Sequence, residues 1–380
     1  MIFEINAQKI TDGSVITYTY NSRSNYIKKG NVPCDFWNMD KFRNLINKKY
    51  ENAICRQEIE PKPTVDSFCI EVGDESKIAQ VINGISKRKK ESGTTTVHLM
   101  NTKNNINNGI KVYIEEIKKN LQKTNFVLHT QGGNLNSDMV DYLVKERVSC
   151  AFYHKGLSEQ RTEDPLEIPE TRKAWVRYYY IARQDNIQVW IRCPITKRNI
   201  NLEELREFYD NRLGPRIDIE IYEDRGIDEH EKINSTNEIA AFEDSVIIAL
   251  TRDWDRWQSL AKKATEVLSA IVNSKPTNEI ITECDMCGKN KINIDSNGNE
   301  TGCSKYQIQR TSRINWNKRI NCGDCYLLPV CKGSCPVAND ESFDKYCKGS
   351  KILSKAIFNA VWFFLTETVI VDIKKKTNNG

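Results

Sequence analysis

Eight cysteines lie close together in the C-terminal part of the chain, and they limit what that part can fold into. The chain has 380 residues and 13 cysteines, and eight of the cysteines are found from Cys284 onward. Eight thiols suffice for two complete sites, because a four-iron cluster takes one thiolate per iron and a tetrahedral zinc ion takes four thiolates. The spacing therefore predicts two four-cysteine metal sites and leaves iron–sulfur and zinc both open. The intervals are Cys284-x2-Cys287, Cys303, Cys322-x2-Cys325-x5-Cys331-x3-Cys335 and Cys347.

The remaining sequence favours metal ligation over disulfide bonds. Residues 1–13 have neither a basic n-region nor an apolar h-region, so they lack the pattern of a secretion signal. The most apolar stretch, 356–373, carries Glu367 and Asp372 and is too short to span a membrane. We therefore expect a cytoplasmic protein with no membrane partner, in which reduced thiols serve metals or chemistry.

The charge pattern gives no indication of a nucleic-acid partner. Lys and Arg together number 56 and Asp and Glu 51, a net charge of +5 over the whole chain. The one basic run, 86–92, has the composition of a solvated helix end. We expect no nucleic acid among the partners of this protein.

Upstream of the cysteine-rich region, strand and helix patterns alternate along the chain. Short β-branched runs such as 94–100 and 125–130 predict strands, and amphipathic stretches between such runs predict helices, one of them with Asn136 as its N-cap. Strands separated by single helices favour a parallel sheet with right-handed crossovers that closes partly or fully into a barrel. The opening segment 13–30 instead predicts a hairpin that turns at residues 21–24.

Two features mark the C-terminal part as a separate domain. The Pro-containing stretch 273–279 predicts a linker, and a turn at Gly298 predicts a chain reversal that brings Cys303 back toward the first cysteine pair. The chain then ends in a predicted buried helix. The apolar residues at helical spacing that predict this helix are Leu353, Ile357, Val361, Phe364, Leu365 and Val369.

The cysteine intervals resemble the SPASM domain of radical SAM peptide maturases. The likeness includes the Gly298-x4-Cys303 step and the long run that begins at Cys322. In that family the domain carries two auxiliary [4Fe–4S] clusters. The resemblance implies one cluster held by Cys284, Cys287, Cys303 and Cys335, and a second held by Cys322, Cys325, Cys331 and Cys347.

A weaker resemblance covers residues 126–165, which are similar to the radical SAM barrel after its SAM-binding strand. Together the two resemblances imply an α/β chain in three parts. The parts are an N-terminal hairpin over 1–30, a degenerate, partial (β/α)6 TIM-like barrel over 31–278, and a SPASM domain with a C-terminal helix over 279–380.

The chain departs from this family where SAM would be cleaved. The family uses three cysteines in a CxxxCxxC pattern, and no such pattern occurs in the sequence. The nearest look-alike has Tyr20, Ser24 and Ile27 where thiolates would stand. The family's Gly-Gly-Glu stretch is replaced by 101–104, in which Lys103 would repel the positive charges of SAM. The sequence therefore predicts a pseudoenzyme of the radical SAM type, with SAM not expected as a cofactor.

Other residues offer alternative chemistry. Cys34, Cys55 and Cys69 would hold a third cluster only if the fold brought them together, and three packed thiols are the simpler expectation. Three histidines lie on or next to predicted strands, where satisfied core histidines are commoner than catalytic ones. These histidines are His98, His129 and His154.

Three functions are compatible with these observations. The one we favour is an iron–sulfur accessory protein in the biosynthesis of a ribosomally synthesised peptide, with the precursor peptide or a genuine maturation enzyme as its partner. The second is an electron-transfer module for a partner enzyme. The third is a peptide-modifying enzyme that uses non-radical chemistry in the barrel.

Overall fold

A computed structural model describes most of the chain, and it separates into two compact units. The first, the terminal unit, comprises Met1–Pro61, Ile233–Thr282 and Ile314–Gly380, and the second, the sheet unit, comprises Lys62–Lys232 and Glu283–Arg313. Both units combine separated parts of the sequence, and the three domain boundaries drawn from the sequence stay a prediction. The described residues are 1–30, 32–34, 66–89, 93–101, 109–157, 164–223, 229–253, 256–272, 291–301, 318–319, 321–331, 333 and 340–376.

Strands and helices alternate through the middle of the chain, as the sequence predicts. In chain order the elements are β1 (Ile2–Lys9), β2 (Val15–Asn21), β3 (Tyr26–Lys29), β4 (Val32–Pro33), β5 (Asp66–Glu71), α1 (Ile78–Ser86), β6 (Thr95–Met100), α2 (Gly109–Asn120), β7 (Thr124–Thr130), α3 (Ser137–Lys145), β8 (Ser149–Tyr153), α4 (Pro169–Gln184), β9 (Val189–Pro194), α5 (Leu202–Leu213), β10 (Asp218–Tyr222), α6 (Thr236–Arg252), α7 (Gln258–Val272), β11 (Lys291–Ile294), β12 (Glu300–Thr301), α8 (Leu328–Cys331), α9 (Asp340–Thr366) and β13 (Thr368–Lys375). Short 3-10 helices cover Glu75–Lys77, Lys197–Asn199 and Glu229–Glu231.

The sheet unit is built on one large, mainly parallel sheet. Its strand order is β10-β9-β8-β7-β6-β5-β11-β12, and all neighbours pair in parallel except β11 and β12. The helix after β7 begins as predicted, since the side chain of Asn136 accepts a hydrogen bond from the backbone N–H of Met139. The predicted α/β class with a parallel sheet is confirmed, whereas the partial-barrel form stays a prediction.

Side chains on the parallel strands divide into two faces of opposite character. On β6, Val97 and Leu99 are fully buried, while His98 between them points to the other face and is partly exposed. On β8, Phe152 stacks on Trp175 of α4 with ring centroids 4.4 Å apart, so the helices cover this first face. The opposite face carries polar and aromatic side chains and is called the polar face below.

The terminal unit pairs the two ends of the described chain in one antiparallel sheet. Its strand order is β13-β1-β2-β3-β4, and Trp362 of α9 packs its ring edge-on against Tyr18 of β2 at 5.1 Å. The predicted hairpin is confirmed, because Tyr20 pairs with Ile27 across a turn in which Asn25 has a φ of 52°. Both Tyr20 and Ile27 are buried, so the look-alike of the missing CxxxCxxC motif is ordinary hairpin core.

The final helix ends earlier than the sequence predicts. Leu353, Ile357, Val361 and Leu365 are buried as expected, whereas Phe364 is only partly buried. Val369 is 40 % exposed and lies on β13, so its assignment to the helix is wrong. The helix stops at Glu367, whose φ is 56°, and the alternating β-branched residues that follow pair with β1. Among the described helices, none is long and apolar enough to cross a bilayer.

A contact between two glycines holds the turn between β11 and β12 against α1. A Cβ atom on Gly84 would lie 2.8 Å from the Cα of Gly298, whose φ of +79° also favours glycine. Arg88 bridges the contact by donating to the backbone oxygens of Gly84 and Gly298 at 2.9 and 3.2 Å. The turn that precedes Cys303 is therefore fixed by close backbone approach, while Cys303 itself lies outside the described residues.

Replacing Gly84 by alanine tests this contact. We expect Gly84→Ala to lower the free energy of unfolding by about 1–3 kcal/mol, because the added methyl group clashes with backbone atoms that cannot move aside. Urea unfolding of the two proteins measures the change. Gly73→Ala is the matched control, since a Cβ at Gly73 meets no atom within 4 Å. Equal stability of the two variants would contradict the contact.

Candidate functional site

The structure describes one of the two predicted cysteine sets. Cys322, Cys325, Cys331 and Cys347 belong to the terminal unit and are called the C-terminal thiols below. The other predicted ligands lie outside the described residues, as does Cys55. These ligands are Cys284, Cys287, Cys303 and Cys335.

Two of the C-terminal thiols lie at one small apolar core. Cys322 is 7 % exposed and packs with Leu328 and Phe343, and Cys347 of α9 packs against the same core. The backbone N–H of Cys325 donates to the oxygen of Cys322 at 3.2 Å, which makes a tight turn between these two cysteines. Cys325 also interacts electrostatically with Cys347, so the fold brings together three cysteines that are distant in the sequence.

Burial and nearby cations act in opposite directions on the C-terminal thiols. Burial, together with the charges of Cys347 and Cys325, raises the pKa of Cys322 to about 11. Arg319 and Lys351 act in the opposite direction and favour the thiolate. A metal would lower the cost of ionising these thiols and release their protons on binding.

The donor set fits a cluster in chemistry and charge, without forming a single-ion site. In the described part of the chain, no three His, Cys, Asp or Glu side chains are arranged to hold one metal ion. A four-iron cluster binds each thiolate through a different iron, so its ligands need not converge on one point. Cys322, Cys325 and Cys347, with Arg319 and Lys351 nearby, match the demands of an anionic thiolate-ligated cluster.

A second group of functional side chains lies on the polar face of the sheet unit. The strand period of two brings the histidines of β6 and β7 to the same face as a tyrosine of β8 and charged residues of β9 and β10. This group is called the polar-face network below. Its members are His98, His129, Tyr153, Arg192 and Glu220.

Hydrogen bonds connect the network across five neighbouring strands. Nδ1 of His98 lies 2.9 Å from Nε2 of His129, and Nδ1 of His129 lies 3.3 Å from the hydroxyl of Tyr153. Arg192 donates to that hydroxyl at 2.6 Å and to Glu220 at 2.8 Å. The result is one continuous series of polar contacts from β6 to β10.

Aromatic rings hold the charged end of the network. The guanidinium of Arg192 lies 5.1 Å from the ring centroids of both Tyr153 and Tyr222, and Trp190 donates to Glu220 at 3.1 Å. Burial raises the pKa of Tyr153 to about 12, although the charge of Arg192 lowers it. The phenol therefore keeps its proton at neutral pH.

His154 has a different role from the other two predicted histidines. Its Nδ1 accepts from the backbone N–H of Gly156 at 3.0 Å and lies 2.9 Å from the hydroxyl of Tyr209. Its Nε2 lies 2.8 Å from Asp164, and burial, which raises the pKa of that carboxyl, is outweighed by the hydrogen bond and charge of His154. His154 is therefore a satisfied core histidine, as the sequence analysis expects, whereas His98 and His129 contact each other on the polar face.

Asn101, which stands in place of the family's Gly-Gly-Glu stretch, has a structural role. Asn101 is 5 % exposed and donates to Thr130 at 3.3 Å, while Lys103 lies outside the described residues. Cys69 is buried on β5 and Cys34 is half-buried in the terminal unit. Convergence of these thiols stays untested.

Sequence reasoning missed three of the five network residues. Tyr153, Arg192 and Glu220 each occupy a polar-face position on a strand whose other face is apolar. That alternation is visible in the sequence and marks them as facing away from the core. Their contacts also depend on the register between strands, which single strands do not reveal.

Comparison with known proteins identifies the fold. No protein-family model matches the chain, and no curated protein matches its sequence. A solved structure of native anSMEcpe with bound AdoMet, an anaerobic sulfatase-maturating radical SAM/SPASM enzyme, matches with a TM-score of 0.52 and 11 % identity. The match covers 79 % of this chain and 99 % of that chain. The same enzyme with bound AdoMet and Cp18Cys peptide matches over the same shares with a TM-score of 0.50 and 11 % identity.

This likeness shows a shared fold. The chain has the α/β architecture of these radical SAM/SPASM structures, with a large parallel sheet. At 11 % identity the likeness carries no residue assignments. The predicted ligand sets and the degenerate status of the barrel stay predictions.

Exchange of Cys322 tests the C-terminal thiols as ligands. We expect Cys322→Ser to lower the iron content by about four atoms per chain, because a serine hydroxyl is a poor substitute for a cluster thiolate. Iron and sulfide analysis of anaerobically purified protein measures the loss. Cys150→Ala is the control, because Cys150 is buried on β8 and belongs to neither predicted ligand set, so its exchange should leave the iron content unchanged. Equal iron in both variants would remove Cys322 from the ligand set.

Proposed function

We propose that this protein is an iron–sulfur accessory protein in the maturation of a ribosomally synthesised peptide. It binds the precursor peptide, a genuine modifying enzyme or both, and it does not cleave SAM. The observation that carries the proposal is the combination of an α/β architecture like that of radical SAM/SPASM structures with a sequence that lacks CxxxCxxC. The fold supports a peptide ligand, because one matching structure holds a peptide beside AdoMet.

The cysteine spacing supports two cluster sites. One is the set Cys284, Cys287, Cys303 and Cys335, and the other is the C-terminal thiols. A fully ligated [4Fe–4S] cluster supplies rigid cross-links and, where its potential allows, one-electron transfer. Arg319 and Lys351, which favour the thiolate of Cys322, support this assignment for the second set.

The residues of the polar face support this face as the binding site of the peptide. Ligands of parallel α/β sheets bind beyond the carboxyl ends of the strands, and the aromatic residues Tyr153 and Tyr222 are the last residues of β8 and β10. Aromatic residues and arginine are the side chains that contribute most to peptide interfaces. We therefore place the precursor peptide on this face.

Metal analysis tests the cofactor and the absence of SAM chemistry. We expect about eight irons with matching sulfide per chain and no SAM cleavage under reducing conditions, because two four-iron clusters account for all eight C-terminal cysteines. Elemental analysis and chromatography of 5′-deoxyadenosine measure both. About twelve irons with SAM cleavage would overturn the pseudoenzyme assignment, and about two zinc ions would make the cysteine sites structural.

Peptide binding tests the partner. We expect the precursor peptide to bind the full chain, and we expect Tyr222→Ala to weaken binding about tenfold or more through loss of an aromatic contact at the carboxyl end of β10. Fluorescence anisotropy of the labelled peptide measures the affinity. Tyr180→Ala is the control, because this ring is 46 % exposed on α4. Absence of binding to both the peptide and the neighbouring maturase would overturn the proposed function.

A further inference from the structure

We infer that residues 322–326, called the cysteine loop below, couple metal occupancy of the C-terminal thiols to the pairing of β1 with β13. The metal at these thiols rests on the proposed function, whereas the contacts of the loop are those of the structure. With metal bound, the loop is held in place and stabilises the pairing of the two strands. Without metal, the loop is released and β13 separates from β1 more often.

Two predicted metal ligands, Cys322 and Cys325, lie in the cysteine loop. The backbone N–H of Cys325 donates to the oxygen of Cys322 at 3.2 Å, and that of Leu328 donates to the oxygen of Cys325 at 3.3 Å. Cys347 of α9 belongs to the same predicted ligand set. Metal bound by these three thiols would tie the loop to α9, because metal ligation adds its binding free energy to the folded arrangement of its ligands.

Tyr326 connects the cysteine loop to β1 and α9. Its ring lies edge-on to Phe3 of β1 and to Phe358 of α9, with centroids 6.0 and 5.6 Å apart. Phe3 is 4 % exposed and Phe358 is fully buried. Edge-to-face ring pairs stabilise a fold beyond the area that they bury. Because Tyr326 directly follows Cys325, displacement of the loop also moves this ring away from β1.

Asp324 connects the cysteine loop to β13. Its carboxylate accepts a hydrogen bond from Nζ of Lys375 at 2.8 Å. The neighbouring Gly323 lies close to the hairpin turn between β2 and β3, since a Cβ at this position would be 3.1 Å from Nη2 of Arg23. An exposed ion pair contributes little stability by itself, so the link through Asp324 adds to the ring contacts of Tyr326. The loop thus contacts both strands whose pairing it stabilises.

The pairing of β13 is a suitable element for such coupling. β13 is the outermost strand in the order β13-β1-β2-β3-β4, and its register with β1 shifts between Asn6 and Ala7. Val371 of β13 is 61 % exposed. Edge strands that bury little apolar surface open at a lower free energy than the core of a domain. The contacts of the loop therefore change how often β13 is paired with β1.

The coupling acts in both directions. The paired and open arrangements of β1 and β13 are two states, and metal favours the paired state through the cysteine loop. A coupling free energy is reciprocal, so a change that weakens the pairing also weakens the hold on the metal. The protein would thus carry a report of its metal content in the order of β13.

Hydrogen exchange of the full, anaerobically purified chain tests the coupling. We expect the amides that pair β1 with β13 to exchange about tenfold or more faster after a chelator removes the metal, because the loop contacts are lost. The amides of β6 and β7 in the sheet unit should change far less. Unchanged exchange of β1 and β13 overturns the inference. An equal increase in all four strands also overturns it, because that result is general unfolding.

A variant of Tyr326 with a matched control tests the route. We expect Tyr326→Leu to raise the exchange of β1 and β13 about tenfold in metal-loaded protein, because leucine fills space without the two edge-on ring contacts. Asn321→Ala is the control, since this exposed residue directly precedes the cysteine loop. Faster loss of metal from Tyr326→Leu than from the control also supports the coupling. Wild-type exchange and wild-type metal loss in Tyr326→Leu overturn it.

Two neighbouring lysines test the reverse direction. We expect Lys375→Ala to speed the loss of metal to a chelator about two- to threefold, because it removes the ion pair between β13 and the cysteine loop. Lys374→Ala is the matched control, because Lys374 pairs with Asp372 of its own strand at 3.2 Å. Equal rates in the two variants overturn the part of the inference that concerns Asp324.

Metal analysis of the same samples separates this inference from the proposed function. Protein that holds about eight irons, and whose β1 and β13 exchange equally after their removal, keeps the proposed cofactor and overturns the coupling. Zinc with metal-dependent exchange supports the coupling and overturns the iron–sulfur assignment. Protein purified anaerobically without any metal overturns both.

Discussion

The alternation of side chains along parallel strands governs the arrangement of functional groups in the sheet unit. One set of positions is apolar and packs under the helices, as in the stack of Phe152 on Trp175. The side chains at the alternate positions, on the polar face, do not pack under the helices and can therefore be imidazole, phenol or guanidinium groups. Parallel pairing then aligns these groups on one face, and the contacts from His98 to Glu220 follow from register alone. A shift of one residue in any strand would exchange the two sets and destroy both the core and the network.

In both candidate sites a fixed cation lies close to a buried acidic group. Burial makes an ionised thiol or phenol costly, and a nearby guanidinium or ammonium lowers that cost. Arg319 and Lys351 act in this way on Cys322, and Arg192 acts in this way on Tyr153. The outcomes differ because Glu220 neutralises Arg192, whereas the C-terminal thiols form a group of several potential anions. Tyr153 therefore keeps its proton at neutral pH. Under the proposed function, the C-terminal thiols lose their protons when metal binds.

Local signals in the sequence were sufficient for much of the fold and insufficient for the network. The N-cap of Asn136, the hairpin through Asn25 and the turn at Gly298 each depend on a few adjacent residues, and all are present. The apolar residues of 368–375 fit partly with the spacing of a helix and partly with the alternation of a strand. The sequence does not decide between the two, because the strand depends on pairing with β1 at the other end of the chain. The links of Tyr153 to Arg192 and of Arg192 to Glu220 likewise depend on pairing between strands that a helix separates.

The charge balance of the polar face bears on the absence of the CxxxCxxC motif. SAM carries a sulfonium and an ammonium group, and a site for it needs exposed negative charge or cluster ligation to hold them. Here the network pairs Glu220 with Arg192, so this carboxylate is already engaged by a cation within the protein. Under the proposed function, the missing cluster motif and the pairing of Glu220 both favour a peptide over a charged cofactor on this face.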